Sequence, residues 1–313
     1  MTEPAIAATG LRKSYGDKLV LDGVDLTVPE GTIFSLLGPN GAGKTTMVQI
    51  LSTLIGHDGG DVRVAGHDLV READAVRAAI GVTGQYSAVD KFLTGEENLR
   101  LMADLNHLGR AEGRRRTAEL LERFDLVEAA RKPASTYSGG MRRRLDLAMT
   151  LVGDPRIVFL DEPTTGLDPR SRRTMWQIVR DLVADGVTIF LTTQYLEEAD
   201  QLADRIALLD HGRLIAEGTA SELKRLVPGG HVRLRFPDED ALAAALRTLG
   251  EGSLDEDALT LRVPSDGSVR SLRALLTRLD DHSVEVDEMS VHTPDLDDVF
   301  LTLTGDPAKE PAR

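Results

Sequence analysis

The residues with the clearest chemical purpose form a glycine-rich segment between an apolar strand and a helix. Gly38–Thr45 fits the pattern G-x-x-x-x-G-K-[ST], in which backbone amides wrap around phosphate oxygens. Glycine permits this because no Cβ blocks positive φ, and the following helix N-terminus favours anions. We expect Lys44 to reach the β- and γ-phosphates and the Thr45 hydroxyl to ligate Mg²⁺, the alternative being a plain Gly-rich turn. The predicted phosphate-binding residues are Gly38, Pro39, Asn40, Gly41, Ala42, Gly43, Lys44, Thr45 and Thr46.

Two adjacent carboxylates follow a second apolar strand. Ile157–Leu160 is uniformly apolar, as buried parallel strands are, and Asp161 and Glu162 come directly after it. Such a strand delivers its acids at its carboxyl end, where α/β sheets bind ligands. We predict that Asp161 holds the Mg²⁺ shell and that Glu162 polarises an attacking water as general base. The alternative is an acid that caps a helix.

A third group of small polar residues lies before the acidic strand. Tyr137-Ser138-Gly139-Gly140-Met141, here called the signature segment, opens a helical pattern. A hydroxyl and free amides at a helix start can be aimed at phosphate. Taken alone, the segment would be an ordinary Ser/Gly helix cap.

Short apolar strands alternate with helices over residues 1–227, which favours a mostly parallel sheet covered on both faces. The predicted strands are Thr32–Leu37, Ile80–Thr83, Ile157–Leu160, Val187–Leu191 and Arg205–Leu209, with a helix over Lys44–Leu54 and an antiparallel sheet over Ala5–Val28. Between about residues 86 and 153 the strands stop. Gly95–Leu108, Glu112–Phe124 and Met141–Val152 are predicted helices of an inserted helical subdomain.

A second domain is predicted over residues 228–313, after the linker Pro228-Gly229-Gly230. Its pattern predicts a small α/β fold. The expected strands are His231–Phe236, Leu259–Val263 and Val284–Val291, and the expected helices are Asp238–Leu249, Ser268–Leu279 and Leu296–Leu303.

Composition excludes several classes of protein. With 41% hydrophobic and 28% charged residues the chain has the balance of a globular protein, and it contains no run of about 18 apolar residues that could span a bilayer. The N-terminus lacks a signal-peptide pattern and there is no cysteine, so we expect the cytosol and no disulfide or thiolate metal site. The net charge of -14 argues against nucleic-acid binding.

The basic runs Arg114–Arg116 and Arg142–Arg144 are predicted to be solvated helix faces, or alternatively docking patches for a partner or anionic lipid.

The order of these motifs resembles the ABC ATPases. The signature segment is similar to their Leu-Ser-Gly-Gly-Gln sequence, and Ser138, Gly139 and Gly140 match while the first and last positions differ. The resemblance implies a P-loop ABC ATPase core, consisting of a mostly parallel sheet, an antiparallel β-subdomain and a helical subdomain, with a small C-terminal α/β domain. It further implies ATP and Mg²⁺ as ligands, and a head-to-tail homodimer in which each signature contacts the nucleotide of the opposite chain.

Further positions acquire roles from the same resemblance. Tyr15 is similar to the aromatic residue that stacks on adenine, with a surface tyrosine as the alternative. Gln85 resembles the loop glutamine that senses Mg²⁺ and the γ-phosphate, and Asp168 resembles the aspartate that links the two sites across the dimer. Where the family has a histidine at the γ-phosphate, this chain has Gln194. Gln194 can donate a hydrogen bond but cannot carry a proton, so hydrolysis is expected to be slower or to rest more heavily on Glu162.

The whole chain resembles the ATPases of daunorubicin/doxorubicin-resistance exporters, through Thr193–Asp200 and Leu296–Gly305. This implies ATP-driven efflux through a separate multi-span membrane subunit, with the chain bound peripherally at the cytoplasmic face of the cell membrane. Contacts to that subunit are expected across Tyr86–Asn98, unless this is a plain surface loop.

A soluble ABC ATPase acting on ribosomes or DNA is the alternative function. It is disfavoured by the single cassette and the absence of a basic surface. The C-terminal domain either reinforces the dimer or binds a regulator or drug.

Overall fold

The chain forms two compact units, Met1–Ala220 and Ser221–Arg313. A computed structural model describes residues 3–85, 87–227, 230–250, 252–254 and 259–304. Four residues named in the sequence predictions lie outside the described residues: Tyr86, Pro228 and Gly229 of the linker, and Gly305.

The first unit opens with an antiparallel sheet, as predicted for Ala5–Val28. Its strands are β1 (Ile6–Tyr15), β2 (Lys18–Val28), β4 (Gly59–Val64) and β5 (His67–Asp68), in the order β2-β1-β4-β5. Tyr15 pairs with Lys18 at the turn between β1 and β2, so its ring lies at the end of this hairpin.

A six-stranded sheet forms the centre of the first unit. Its strands are β3 (Ile33–Leu37), β6 (Ile80–Thr83), β7 (Ile157–Asp161), β8 (Thr188–Thr193), β9 (Arg205–Asp210) and β10 (Arg213–Gly218), in the order β10-β9-β3-β8-β7-β6. All neighbours pair in parallel except β10, which is antiparallel to β9. Every residue of β3, β7 and β8 is buried, which explains their largely apolar sequences; the polar exceptions are Ser35, Asp161 and the threonines of β8. The predicted parallel sheet is confirmed.

Strand register gathers the functional segments at one edge of this sheet. Leu37, which precedes the glycine-rich segment, lies opposite Thr193, which precedes Gln194. Asp161 lies opposite Thr192 on the neighbouring strand. The carboxyl ends of three central strands therefore place the phosphate loop, the acidic pair and Gln194 side by side.

Helices cover the sheet of the first unit and bury hydrophobic cores on it. They are α1 (Lys44–Leu51), α2 (Ala73–Ala79), α3 (Gly95–Leu105), α4 (Arg110–Arg123), α5 (Gly139–Thr150), α6 (Pro169–Ala184) and α7 (Leu196–Leu202), followed by α8 (Ala220–Lys224) at the boundary between the units. Helices α3 to α5 fall between β6 and β7 in the chain, together with two 3₁₀ turns at Val127–Ala129 and Ala134–Thr136.

Two predicted helices are three residues too long. Helix α1 ends at Leu51 instead of Leu54, and α3 ends at Leu105 instead of Leu108. Shortly after each helix a residue adopts left-handed backbone, with φ of 62° at Thr53 and 57° at His107. Neither position is a glycine, so the sequence carried no stop signal there.

Beyond α8, the described residues of the second unit form four antiparallel strands and three helices. The strands are β11 (His231–Arg235), β12 (Ser253–Leu254), β13 (Thr260–Pro264) and β14 (Glu288–His292), in the order β12-β13-β11-β14, and the helices are α9 (Glu239–Leu249), α10 (Val269–Asp281) and α11 (Leu296–Leu303). The predicted strand Val284–Val291 begins four residues too early. The amide of Val284 bonds to the carbonyl of Leu279 and its side chain is buried, so this stretch is a loop that packs against the core.

Candidate functional site

The glycine-rich loop is packed so closely that side chains could not replace two of its glycines. A Cβ on Gly38 would overlap the carbonyl oxygen of Leu209. Gly43 has a φ of 112°, and a Cβ there would come within 2.9 Å of the Leu21 side chain. The loop is therefore held between β2, β3 and β9 in a backbone conformation that glycine favours. Thr45 and Thr46 follow in the first turn of α1.

Lys44 is buried over this loop, with only 5% of its surface exposed. Its Nζ donates to the carbonyl oxygens of Gly38, at 2.8 Å, and Pro39, at 3.1 Å. The same atom lies 3.8 Å from Oε1 of Glu162. Burial lowers the pKa of Lys44, while the negative charges of Glu162 and Asp161 oppose that shift. The positively charged Lys44 ammonium group is thus held between the phosphate loop and the acidic pair, where a negatively charged polyphosphate would bind.

Thr192 organises the two carboxylates from the neighbouring strand. Asp161 is 3% exposed, and its Oδ1 accepts a hydrogen bond from the Thr192 hydroxyl. The amide of Glu162 donates to both the carbonyl and the hydroxyl oxygen of Thr192, at 3.1 and 3.2 Å. Glu162 has a φ of 49°, a left-handed conformation that costs energy for a residue with a side chain. Lys44, Asp161, Glu162 and Thr192 together are called the carboxyl-edge cluster below.

The two glutamines predicted near the γ-phosphate follow β6 and β8, the two strands that flank β7. Gln194 comes directly after β8 and is partly exposed. Gln85 is exposed two residues after β6, and the carbonyl of the preceding Gly84 accepts a hydrogen bond from Arg143. Tyr15 is half-exposed, with Nζ of Lys13 5.5 Å from the centre of its ring. One face of that ring can therefore accept a planar ligand.

The signature segment forms the start of α5, as its helical pattern predicted. Ser138 is the N-cap, and its hydroxyl accepts a hydrogen bond from the amide of Met141 at 3.2 Å. Ser138 and Gly139 are exposed, so the free amides of this helix start face away from the core. Here a hydroxyl and backbone donors are available to an anion.

Ser171 connects Asp168 to the signature segment, because it bonds to Asp168 and lies against Gly140. Asp168 is the N-cap of α6 and accepts from the amides of Arg170 and Ser171, both at 3.0 Å. A hydrogen bond from the Ser171 hydroxyl is the main reason that the pKa of Asp168 is lowered. A Cβ on Gly140 would come within 2.5 Å of that hydroxyl oxygen, and Ser138, Gly140 and Ser171 line one cavity. The two helix starts therefore form one surface.

The donor set of the carboxyl-edge cluster fits a nucleoside triphosphate with Mg²⁺. The Thr45 hydroxyl and the Asp161 carboxylate are hard oxygen donors, the type that Mg²⁺ prefers. Among the described residues, no group of three or more His, Cys, Asp or Glu side chains could hold a metal ion by itself. Mg²⁺ is commonly bound through one or two protein oxygens together with substrate phosphates, and Thr45 and Asp161 could supply such oxygens.

Sequence reasoning missed the residues that tie these segments together. Arg142–Arg144 was predicted to be a solvated helix face, but this is wrong for Arg143 and Arg144, whose side chains are only 11% and 18% exposed. Arg143 and Asp146 form an ion pair inside the protein. The available signal was an aspartate three residues after an arginine, among apolar residues of one helix. Thr192 had no signal beyond its place at the end of an apolar strand.

The described helices include none that is both long and apolar enough to cross a membrane.

Known proteins resemble this chain over its full length. A family profile described as ABC transporter matches residues 21–165. A daunorubicin resistance ATP-binding protein of Streptomyces coeruleorubidus is 51% identical over 98% of this chain and 98% of its own. A doxorubicin resistance ATP-binding protein of Mycobacterium tuberculosis is 48% identical over 97% of this chain and 95% of its own. Among solved structures, the ATP-binding subunit of an ABC transporter has a TM-score of 0.64 and 28% identity, covering 71% of this chain and 92% of that one.

Proposed function

The chain belongs to the ATP-binding proteins of ABC transporters, and from that premise we propose that it powers the export of a drug or other hydrophobic compound through a separate membrane subunit. ATP hydrolysis is the activity of this family. The observation that carries the proposal is the combination of the carboxyl-edge cluster with full-length similarity to drug-resistance ATP-binding proteins. The similarity extends through the C-terminal unit, well beyond the residues that the family profile matches.

Residues of a single chain would bind the phosphates of ATP and activate a water. The loop amides and Lys44 would hold the phosphates, because they present donors and a buried positive charge at one place. Thr45 and Asp161 would hold Mg²⁺, which when bound neutralises phosphate charge. Glu162 would orient the attacking water and accept its proton, since its carboxylate lies 3.8 Å from Nζ of Lys44, the atom that would contact the phosphates.

Three further residues would complete the nucleotide site. Gln85 and Gln194 would donate hydrogen bonds to the γ-phosphate or orient the water, because both follow strands that end at the carboxyl edge. Tyr15 would stack on the adenine with its exposed ring. Gln194 is a phosphate contact in this scheme and takes no part in proton transfer.

We infer that two copies assemble head to tail around two ATP molecules. The exposed amides at the start of α5 suit a phosphate, while the phosphate loop of the same chain already holds its own nucleotide. A second chain would bring its nucleotide to Ser138, Gly139 and Gly140. Asp168 would lie at the same interface, because it shares a surface with Gly140 through Ser171.

The membrane subunit is proposed to dock on the segment Tyr86–Asn98, at the cytoplasmic face of the cell membrane. Phe92 within this segment is 93% exposed, the highest value among the large apolar side chains of the described residues. The segment directly follows Gln85, so movement at the γ-phosphate would reach the docked partner. Tyr86 itself lies outside the described residues.

Efflux measured in cells tests this function. A drug-sensitive host would carry the chain with its native multi-span membrane subunit, and accumulation of a fluorescent anthracycline would be followed over time. We expect lower accumulation with the native chain and none of that reduction with Lys44→Ala at equal protein level. Equal accumulation in both strains would reject anthracycline export. Purification from the host without any membrane subunit, or with ribosomes, would reject the exporter function as a whole.

A further inference from the structure

A buried ion pair on α5 lies within the same helix that the signature segment starts. Nη1 of Arg143 is 3.1 Å from Oδ2 of Asp146, and their side chains are 11% and 4% exposed. The spacing of three residues puts both on one side of the helix. Burying two charges is unfavourable unless their remaining donors and acceptors are also satisfied. The other hydrogen-bond partners of Arg143 and Asp146 therefore indicate the role of the pair.

The Arg143 guanidinium reaches three backbone carbonyls in two different loops. Nη1 donates to Gly84 at 3.0 Å, Nη2 to Asp161 at 3.3 Å and Nε to Pro163 at 2.8 Å. Asp161 and Pro163 flank Glu162, and Gly84 immediately precedes Gln85. One planar group therefore holds the backbone next to both residues assigned to the attacking water and the γ-phosphate.

Asp146 completes the arrangement from the other side of Gln85. Its Oδ1 accepts from the amide of Ala88 at 2.9 Å, while Oδ2 accepts from Arg143. Gln85 is thus bracketed by Gly84 and Ala88, both of which are bonded to the ion pair.

We propose that Arg143 and Asp146 form a positioning pair that fixes Gln85 and Glu162 in one arrangement for hydrolysis and ties both to the helix that begins at Ser138. Neither side chain contacts the nucleotide in this scheme; the pair acts through the backbone of the two loops. The inference rests on ATP hydrolysis by this chain and is independent of what is exported.

The electrostatics explain why the pair must act as a unit. Burial lowers the pKa of Arg143 and raises the pKa of Asp146, and each shift is opposed by the charge of the other residue. Removing one partner leaves a buried charge without compensation, which would destabilise the fold. A useful test must therefore separate loss of folding from loss of positioning.

Three variants and one control make that separation. Arg143→Lys keeps the charge but cannot reach three carbonyls with a planar fork. Arg143→Gln leaves Asp146 buried without its cation, and the double variant Arg143→Gln/Asp146→Asn removes both charges while keeping polar side chains of similar size. The control is Arg116→Gln, since Arg116 also bonds a backbone carbonyl, that of Leu151, and two acids, Glu119 and Asp154, within the helical region.

The experiment measures kcat for ATP, the affinity for a fluorescent ATP analogue, and Tm for each purified full-length chain. We expect Arg143→Lys to lower kcat about 10-fold or more with affinity within about twofold of native, because misplacement of reacting groups affects the chemical step. The double variant should regain native Tm yet keep the low kcat, and Arg116→Gln should keep native kcat. Native kcat in Arg143→Lys, or recovery of kcat together with Tm in the double variant, would mean that the pair only stabilises the fold. Either result would overturn the proposal.

Discussion

The two groups of phosphate-directed residues in the first unit differ in where their hydrogen bonds go. In the carboxyl-edge cluster, Lys44 bonds to carbonyls of its own loop and Asp161 bonds to Thr192, and both are almost fully buried. The signature segment instead presents Ser138 and Gly139 at an exposed helix start. A buried, preorganised group suits the chemistry, whereas an exposed group of donors suits a ligand brought by another molecule. The contrast supports a nucleotide site that is complete only when two chains meet.

The largest expected effect comes from the buried cation of the carboxyl-edge cluster. Lys44→Ala removes the positive charge beside the phosphates, so we expect ATP hydrolysis to fall by about 10³-fold and affinity for ATP to fall with it. Steady-state ATPase assays and nucleotide titration measure both quantities. Lys132→Ala, at an exposed position, is the control and should behave as native. Native affinity in Lys44→Ala would show that the Lys44 side chain does not hold the phosphates.

A large effect on the chemical step alone is expected for Glu162→Gln. The amide can fill the same space but cannot accept the proton of the attacking water, so hydrolysis should fall at least about 10²-fold while ATP affinity stays close to native. The variant should also accumulate as an ATP-bound dimer, which size-exclusion chromatography with light scattering would detect. Hydrolysis at the native rate would mean that another residue is the general base.

A smaller effect with a different signature is expected on the exposed side. Gly140→Val would place a side chain against the Ser171 hydroxyl, where a Cβ would already be within 2.5 Å. We expect hydrolysis to fall about 10-fold through misplacement of the signature segment, with ATP binding to the single chain unchanged. Parallel measurement of affinity and kcat separates this from Lys44→Ala. A matching loss of affinity in both variants would remove the distinction between the two groups.

The smallest effect concerns Gln194. Loss of one neutral hydrogen bond to phosphate in Gln194→Ala should slow hydrolysis about fivefold. Gln194→His would introduce a group with a pKa of about 6.5. The rate of ATP hydrolysis by this variant should therefore depend on pH between about 6 and 7 in a way that the native rate does not. Rate profiles over this range compare the three chains. An unchanged rate in Gln194→Ala would place this side chain outside the γ-phosphate site.

Sequence reasoning succeeded where local pattern and chemistry coincide. Uniformly apolar strands predicted the parallel sheet, and the chain positions of the acidic pair and the phosphate loop predicted that both lie at its carboxyl edge. Ile80–Thr83 and Leu296–Leu303 were predicted with the observed bounds. The patterns that predict these elements involve residues close together in the chain, so they can be recognised in a short stretch of sequence.

The remainder depends on contacts that the sequence does not display. The left-handed backbone of Glu162 is accompanied by hydrogen bonds from its amide to Thr192, which lies 30 residues away. Arg143 looked like part of a solvated basic run, because three of its four partners are backbone carbonyls, which carry no side-chain identity, and only Asp146 is a side chain. The linear pattern therefore located the groups proposed for chemistry but missed the pair that links them.

The most direct test of a shared nucleotide site uses the absence of cysteine from this chain. One tagged copy would carry Asn40→Cys in its phosphate loop and a differently tagged copy would carry Ser138→Cys, both in the Glu162→Gln background. With ATP and Mg²⁺ under mild oxidation, we predict a disulfide between the two differently tagged chains, and little without nucleotide. Cross-linking that does not depend on ATP, or that joins only identical positions while the mixed pair stays reduced, would contradict the head-to-tail arrangement of the two chains.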